Sequence, residues 1–293
     1  MRLLTTTEAA EYLRLKERKL YELVAEEAIP CTKVTGRWLF PQAELDHWLS
    51  SNLVRPAGLR PAAAMPIVGG SHDPLLEWAL RESGSGLATL PEGSEAGLAR
   101  FEQGGIVASA LHLHTPAGTD DANTAAVRGR GDCADAVLVG FVRREQGFLV
   151  APGNPLSLAT VSDVAAKRAR LAVRPRGAGA QLLLVALMHR ASLSLDQLVV
   201  ASPPAPTGPD IAQAIRAARA DCGIATRSVA NSAGLDFVPI TWEQFDLVVR
   251  QREYFREPLQ RFFGFLRTPA FAARARELGG YDVAAAGQVR FAP

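Results

Sequence analysis

Apolar residues recur at helical spacing near the N-terminus and then give way to the short runs typical of strands. Ala9, Ala10, Tyr12 and Leu13 form the apolar side of a first short helix, with Thr6 or Thr7 as its cap. A second helix is predicted from Lys16 to Glu26, with Leu20, Leu23 and Val24 on one stripe. Residues 29–34 and 38–40 flank Gly36 in the pattern of a β-hairpin. Pro41 then opens a helix in which Leu45, Trp48 and Leu49 face inward.

From Pro66 onward the pattern changes to short apolar strands alternating with helical stretches. Strands are predicted at 66–70, 87–90, 106–109, 136–142, 148–152, 169–173, 198–201, 223–226, 235–240 and 246–249. Helices are predicted at 73–81, 178–190, 210–220 and 258–264. This alternation argues for an α/β fold with parallel sheets and ligands at the carboxyl ends of the strands. Between the two patterns, residues 51–65 contain Pro56, Gly58 and Pro61 and little that could fill a core, so they are expected to be a linker. The chain thus divides into a head at 1–50, a linker at 51–65 and a body at 66–293. No internal repeat is visible.

Composition narrows the class. Of 293 residues, 48% are hydrophobic and 21% charged, which supports packed domains rather than disorder. Lys+Arg number 32 against 30 Asp+Glu, a formal +2, so a uniformly basic nucleic-acid coat is excluded and only a local basic surface remains open. Cys31, Cys133 and Cys222 are far apart and form no CxxC pair, which argues against a disulfide scaffold or a Cys-rich zinc site. The first residues lack the apolar stretch of a secretory signal, and runs such as Leu182 to Met188 fall well short of the ~20 residues that span a bilayer. The expectation is a cytoplasmic protein with reduced thiols and no membrane partner.

The head's order of helix, turn, helix, hairpin and closing helix is that of a winged helix-turn-helix. Its seven cations face eight acids, but they concentrate on one helix start and one hairpin. Lys16, Arg18, Lys19 and Tyr21 from the second helix, with Lys33 and Arg37 from the hairpin, are the candidate contacts to double-stranded DNA. The segment 3–13 (LLTTTEAAEYL), with Gly36-Arg37-Trp38-Leu39-Phe40-Pro41 and 45–49 (LDHWL), resembles the excisionase/MerR-like helix-turn-helix family. The resemblance covers nearly the whole head. One departure is Lys16, where that family usually has a small capping residue.

In the body, three Gly- and Ser-rich turns each follow a strand and precede a helix: 69–74 (GGSHDP), 92–97 (EGSEAG) and 174–181 (RPRGAGAQ). Glycine lets backbone approach a ligand, and helix-start N–H groups favour negative charge. With 68–73, 140–155, 174–181, 221–225, 235–239, 245–249 and 278–282, these turns resemble the type II periplasmic-binding-protein fold, in its cytoplasmic version fused to helix-turn-helix domains. The resemblance implies two lobes, one at 66–145 plus 240–293 and the other at 146–239, closing on a ligand. Molybdate- and tungstate-binding proteins of that fold use two serine hydroxyls and backbone amides. Carried over, these are Ser71 and Ser94, then Gly177, Ala178 and Gly179, with Ile224 to Thr226 completing the pocket and His72 and His112 at its wall. The third turn departs from related sensors, with Ala178, Ala180 and Gln181 in place of Ser, Thr and Arg. An oxyanion and a carboxylate or neutral metabolite both fit this reading, with Arg174 or Arg176 as the partner of a carboxylate.

Other patterns carry less. Ser71-His72-Asp73 cannot form a catalytic relay, because adjacent side chains do not point at one another. His112 and His114 precede Asp120 and Asp121, but no third ligand has suitable spacing, so no metal or cofactor is expected. Residues 129–132 (GRGD) read as a solvated turn. Tyr254, Phe255, Phe262, Phe263 and Phe265 read as core or as a face of a homodimer or higher homo-oligomer. No acid–base or nucleophile constellation suggests an enzyme. The sequence therefore points to a one-component transcriptional regulator sensing a small anion. The alternative is a cytoplasmic solute-binding protein whose head binds a protein.

Overall fold

The computed structural model describes residues 2–51, 64–114, 121–128, 130, 133 and 135–292. Most of the expected linker, together with Asp120 and Gly129, Gly131 and Asp132, lies outside the described residues. The chain separates into two compact units, 1–61 and 62–293.

The first unit runs β1 (Leu3–Thr5), α1 (Thr6–Leu13), α2 (Glu17–Ala25), β2 (Thr32–Val34), β3 (Arg37–Pro41) and α3 (Gln42–Ser51). The cap of α1 is Thr5, not Thr6 or Thr7. Glu8 N donates to its hydroxyl while Thr5 N donates to the Glu8 carboxylate, and this reciprocal box moves the helix start one residue earlier. β1 pairs with β3 and β3 with β2, a three-stranded antiparallel wing. Leu4, Ala9, Ala10, Leu20, Ile29, Phe40 and Leu45 form one small core, with Trp38 and Trp48 packed on its edge. Trp48 Nε1 donates to Ala28 O at 2.7 Å, and the Tyr12 hydroxyl donates to Asp46, so α3 is tied to α1 and to the segment that follows α2.

The second unit begins with β4 (Met65–Gly70), α4 (Pro74–Glu82), β5 (Ala88–Pro91), α5 (Ser94–Glu102), β6 (Ile106–Leu111), α6 (Ala122–Arg128) and β7 (Ala136–Val150). It continues through α7 (Val161–Ala166), β8 (Arg170–Ala172), α8 (Gly179–Arg190), β9 (Val199–Ala201), α9 (Gly208–Arg216), β10 (Cys222–Thr226) and α10 (Arg227–Ala233). It closes with β11 (Asp236–Arg250), α11 (Gln251–Tyr254), α12 (Glu257–Phe265), α13 (Pro269–Leu278), β12 (Tyr281–Asp282) and β13 (Val289–Phe291).

The strands form one curled sheet in the order β5-β4-β6-β11-β7-β10-β8-β9, with β12 and β13 also on β7. β4 is parallel to β5 and β6, and β8 is parallel to β9 and β10. The two halves meet on the antiparallel pair β7 and β11. The sheet is therefore mixed rather than purely parallel. Two strand pairs expected as separate, 136–142 with 148–152 and 235–240 with 246–249, are each one continuous strand of 15 residues. Their middles, 143–147 and 241–244, are polar because they cross between lobes, and that broke the apolar pattern. Around one end, Phe141, Phe245, Phe262 and Phe271 pack into lobe one, with Phe141 ring centroids 5.8, 6.2 and 5.5 Å from the other three. Around the other end, Phe148, Leu171, Leu183 and Ile224 build the core of lobe two.

One close approach sets where α5 begins. A Cβ at Gly97 would fall on Gly70 Cα, within 2.5 Å of Gly70 N and of Ser109 Oγ, so only glycine lets this helix lie against β4. We expect Gly97→Ala to cost about 1–3 kcal/mol through overpacking. Calorimetry should show the melting temperature of the full chain falling by roughly 2–4 °C per kcal/mol. An unchanged melting temperature would show that α5 is not pinned there.

Candidate functional site

The turns that open α4, α5 and α8 converge between the lobes. Ser71 and Ser94 are both buried and their hydroxyl oxygens are 2.7 Å apart, while His112 N donates to Ser94 Oγ at 3.2 Å. From lobe two, the Gly177–Gly179 turn packs directly on this group. Glu95 N donates to Gly177 O at 3.2 Å, and a Cβ on Gly179 would collide with the His112 carbonyl and imidazole. Neither α5 nor α8 has a side-chain cap, since Gly93 and Ala178 hold the cap positions, so their first N–H groups face the junction.

Beside this junction, His72, Pro74, His112, Arg144, Gln146, Arg174, Ala180, Gly208, Ala225, Thr226 and Val229 enclose a cavity of about 20 Å³. That volume holds little more than one water. A wider groove of about 610 Å³ shares His72, Pro74 and Val229 with it and continues along α9 to Gln213 and Arg216.

A buried ionic network forms the floor. Arg144 on β7 donates from Nε to Glu243 Oε1 and from Nη1 to Asp73 Oδ2, both at 2.7 Å, and its guanidinium lies 3.9 Å from the centroid of the Phe245 ring. Asp73 uses its other oxygen to cap α4, accepting from Leu75 N at 2.8 Å and Leu76 N at 3.0 Å. Because Asp73 only accepts, the hydroxyl chain beyond it has a fixed direction. Tyr281 donates to Asp73 at 3.0 Å, Ser228 to Tyr281 at 2.8 Å, and Thr226 to Ser228 at 2.8 Å. Thr226 therefore spends its proton on Ser228 and turns acceptor lone pairs elsewhere.

Glu243 gathers Gln146 Nε2 at 2.9 Å, His112 Nδ1 at 3.0 Å and His114 Nε2 at 2.7 Å as well as Arg144. Burial alone would raise its pKa, but the neighbouring His112 and Arg144 charges and the imidazole hydrogen bonds outweigh burial and hold the carboxyl well below its usual range. Burial pushes His112 the other way, down to about 4. Burial, with the nearby Arg144 charge, lowers Arg174 to about 10.

Two buried polar atoms of residues that line the cavity have no hydrogen-bond partner: Arg174 Nε and Gln146 Oε1. Gln146 turns its NH2 toward Glu243, so its oxygen faces away from that carboxylate.

The residues expected from sequence fall into three groups. Ser71, Ser94, His112, Gly177, Ala178 and Gly179 come together at the junction, and His72 and Thr226 line the cavity. Ile224 sits in the core of lobe two, and its neighbours Ala225 and Thr226 at the end of β10 line the cavity instead. Arg176 is exposed, whereas Arg174 lines the cavity. Arg144, Gln146 and Glu243 were not singled out, since they lie in mid-strand on β7 and β11, and neither was Tyr281 on the short strand β12. The expectation that His112 and His114 lack a third ligand also changes. Glu243, far away in sequence, joins them, and the ligand atoms of all three lie within 4.8 Å of one another. In the head, Lys16, Arg18, Lys19, Tyr21, Lys33 and Arg37 are all exposed. Arg18 and Lys19 make loose contacts with Glu22 at 3.4 and 3.1 Å, and Lys33 lies 5.2 Å from the Trp38 ring centroid.

The PBP superfamily domain matches residues 77–267, and a helix-turn-helix domain matches 3–53. The uncharacterized protein YvgK of Bacillus subtilis (strain 168) is 22% identical over 300 aligned positions, covering 97% of this chain and 96% of that one. A solved substrate-binding protein with bound phosphate from Clostridium perfringens has the same fold at 13% identity, with a TM-score of 0.55 over 72% of this chain and 96% of its own. The tungstate ABC transporter structure from Geobacter sulfurreducens matches at 14% identity and a TM-score of 0.50, over 73% and 100% of the two chains. No helix among the described residues is long and apolar enough to cross a membrane. With two lobes meeting on paired crossing strands and a family match over most of its length, the chain belongs to the PBP superfamily and carries a helix-turn-helix domain ahead of that fold.

Proposed function

We propose that this protein is a transcriptional regulator whose affinity for DNA depends on a small anion held between the lobes of its second unit. The observation that carries the ligand class is Arg174, which lines the interlobe cavity and whose buried Nε has no hydrogen-bond partner while Nη2 donates to Pro206 O. Leaving a buried donor unpaired costs about 1–3 kcal/mol, and an anionic oxygen would remove that cost. Uncapped starts of α5 and α8 and the paired hydroxyls of Ser71 and Ser94 add further donors around the same junction. Ala178, Ala180, His72, His112 and Thr226 would shape its walls. A cavity of about 20 Å³ is too small for such an anion, so binding requires the lobes to part and reclose around it.

The acceptors refine the choice of anion. Gln146 Oε1 is unpaired and Thr226 has already given its proton away. Bare molybdate or tungstate offers no hydrogen to either. An anion that also donates, such as hydrogen phosphate or a hydroxy- or amino-carboxylate, satisfies both kinds of group. Molybdate and tungstate stay in the proposal through the two serines and the shared fold, and titration separates the two classes. In a homodimer, reclosure would alter how two heads address half-sites about one helical turn, ~34 Å, apart. The rival reading, a cytoplasmic solute-binding protein whose head grips another protein, predicts no specific DNA complex.

Calorimetric titration of the full chain with molybdate, tungstate, phosphate, sulfate, lactate and small amino acids should find one saturable ligand. Arg174→Gln should weaken that ligand at least about tenfold, the scale of one charge-assisted hydrogen bond. Failure of every anion to bind would remove the sensing proposal. For the head, gel shifts on the region upstream of the protein's own gene should reveal a complex that weakens steeply with salt. Arg18→Ala and Arg37→Ala should each weaken it and lower the salt slope by roughly one unit, without changing anion affinity. Loss of both activities in either variant would contradict separate modules.

A further inference from the structure

The cluster of His112, His114 and Glu243 is not needed to hold the proposed anion, and its chemistry is of another kind. His112 and His114 leave β6 two residues apart, and Glu243 reaches them from the crossing strand β11. Oxygen Oε1 of Glu243 is engaged by Arg144 Nε at 2.7 Å and Gln146 Nε2 at 2.9 Å. Those two bonds fix the carboxylate and leave Oε2 facing His114 Nε2 at 2.7 Å, while His112 Nδ1 straddles the two oxygens, 3.0 Å from Oε1 and 3.1 Å from Oε2. Support of one ligand oxygen's partner by neighbouring donors is what a metal-binding carboxylate requires.

Two imidazole nitrogens and one carboxylate oxygen are the donor set of an open three-ligand zinc site. Zinc lies about 2.0–2.1 Å from such ligands, so neighbouring donors stand roughly 3.3 Å apart; the His114–Glu243 and His112–Glu243 spacings would widen by roughly 0.6 and 0.2 Å, and the two imidazole nitrogens already lie within 4.8 Å of each other. The group is also not sealed. His114 and Glu243 line a polar pocket of about 530 Å³ shared with Asp121, Asn123 and Thr241, which leaves room for a water as fourth ligand. Charge is compatible, since Asp73 and Glu243 share the single guanidinium of Arg144. Nitrogen-rich donors favour a first-row transition ion over Mg2+ or Ca2+.

We propose that His112 Nδ1, His114 Nε2 and Glu243 Oε2 form a binding site for one first-row transition-metal dication, of which Zn2+ fits best, with its fourth position open to the polar pocket. The ion would clasp the end of β6 to the middle of β11, where the strands cross between lobes. This site stands on its own geometry and does not depend on the regulator reading.

The test uses the tag-free full chain, stripped with EDTA and titrated calorimetrically with ZnCl2, with CoCl2 absorption as a reporter of nitrogen-rich, low-coordinate geometry. One ion should bind per chain, with the intense visible bands of four-coordinate cobalt. His114→Ala, which alters a half-buried side chain, should weaken uptake at least about tenfold, while His189→Ala on the exposed end of α8 should match the parent. Circular dichroism confirms that both variants fold. The proposal is overturned by no saturable uptake at about 100 µM Zn2+, by His114→Ala binding as tightly as the parent, or by Mg2+ binding as tightly as Zn2+.

Discussion

A buried guanidinium must have partners, and the way Arg144 finds them organises the whole second unit. It is 1% exposed and lies between Asp73 at the start of α4 and Glu243 on the opposite crossing strand. Removing the guanidinium would leave both buried carboxylates without their shared cation, a loss that typically costs about 3–5 kcal/mol. Each carboxylate also has a second duty. Asp73 caps α4 and sets the proton direction through Tyr281, Ser228 and Thr226, and Glu243 collects Gln146, His112 and His114. One ion pair thereby fixes the lobe-one turn, both crossing strands and two faces of the cavity. Phe245, on which the guanidinium lies, belongs to the lobe-one core, so the polar floor and the hydrophobic packing share a residue.

Local signals in the sequence carried the head almost completely. Its helices are short and amphipathic, its hairpin turns at Gly36, and its cations sit where short-range reasoning places them. The error of one residue at Thr5 came from not pairing that threonine with Glu8. In the second unit, the turn residues Ser71, Ser94 and Gly177 to Gly179 were legible because glycine and serine before a helix have a local meaning. Arg144 and Glu243 were not. Each lies in a polar interruption of a strand, and such interruptions look like loops until the two strands are laid side by side. Register alone makes Glu243 the pairing partner of Arg144, and no spacing along the chain encodes that. The choice left open between Arg174 and Arg176 has the same origin: two arginines flanking a proline look alike until the turn leaves Arg176 exposed and sets Arg174 against the cavity.

The same crossing strands change character along their length. β7 and β11 are continuous through both lobes, and where they cross, Arg144, Gln146 and Glu243 are buried in a polar network rather than an apolar core. On either side of 241–244 the register of the ladder is irregular, between Pro239 and Thr241 and again between Phe245 and Asp246. Asp246, beside that second irregularity, is raised to about 6 by burial despite Arg290 and Asn123. A carboxyl whose folded value lies above its ordinary one favours folding while protonated, below its ordinary value, and loses that contribution as pH rises through about 6. The crossing is thus a place where charge, hydrogen bonding and backbone irregularity meet, whereas both lobe cores are apolar.

Magnitudes decide whether an anion could drive the lobes together. Moving a two-state equilibrium from 1:99 to 99:1 takes about 5.5 kcal/mol of differential affinity. When the lobes are apart, water can satisfy Arg174 Nε and Gln146 Oε1; when they meet around too little space, neither is satisfied. Each unmet group penalises the empty closed form by about 1–3 kcal/mol. On the regulator reading, a ligand that pairs both groups removes about 2–6 kcal/mol from the closed form alone, which is the scale required. A ligand that pairs only Arg174 recovers half of that and leaves Gln146 unpaired. The strength of the response, and not merely its occurrence, is therefore tied to whether the anion also donates a hydrogen bond.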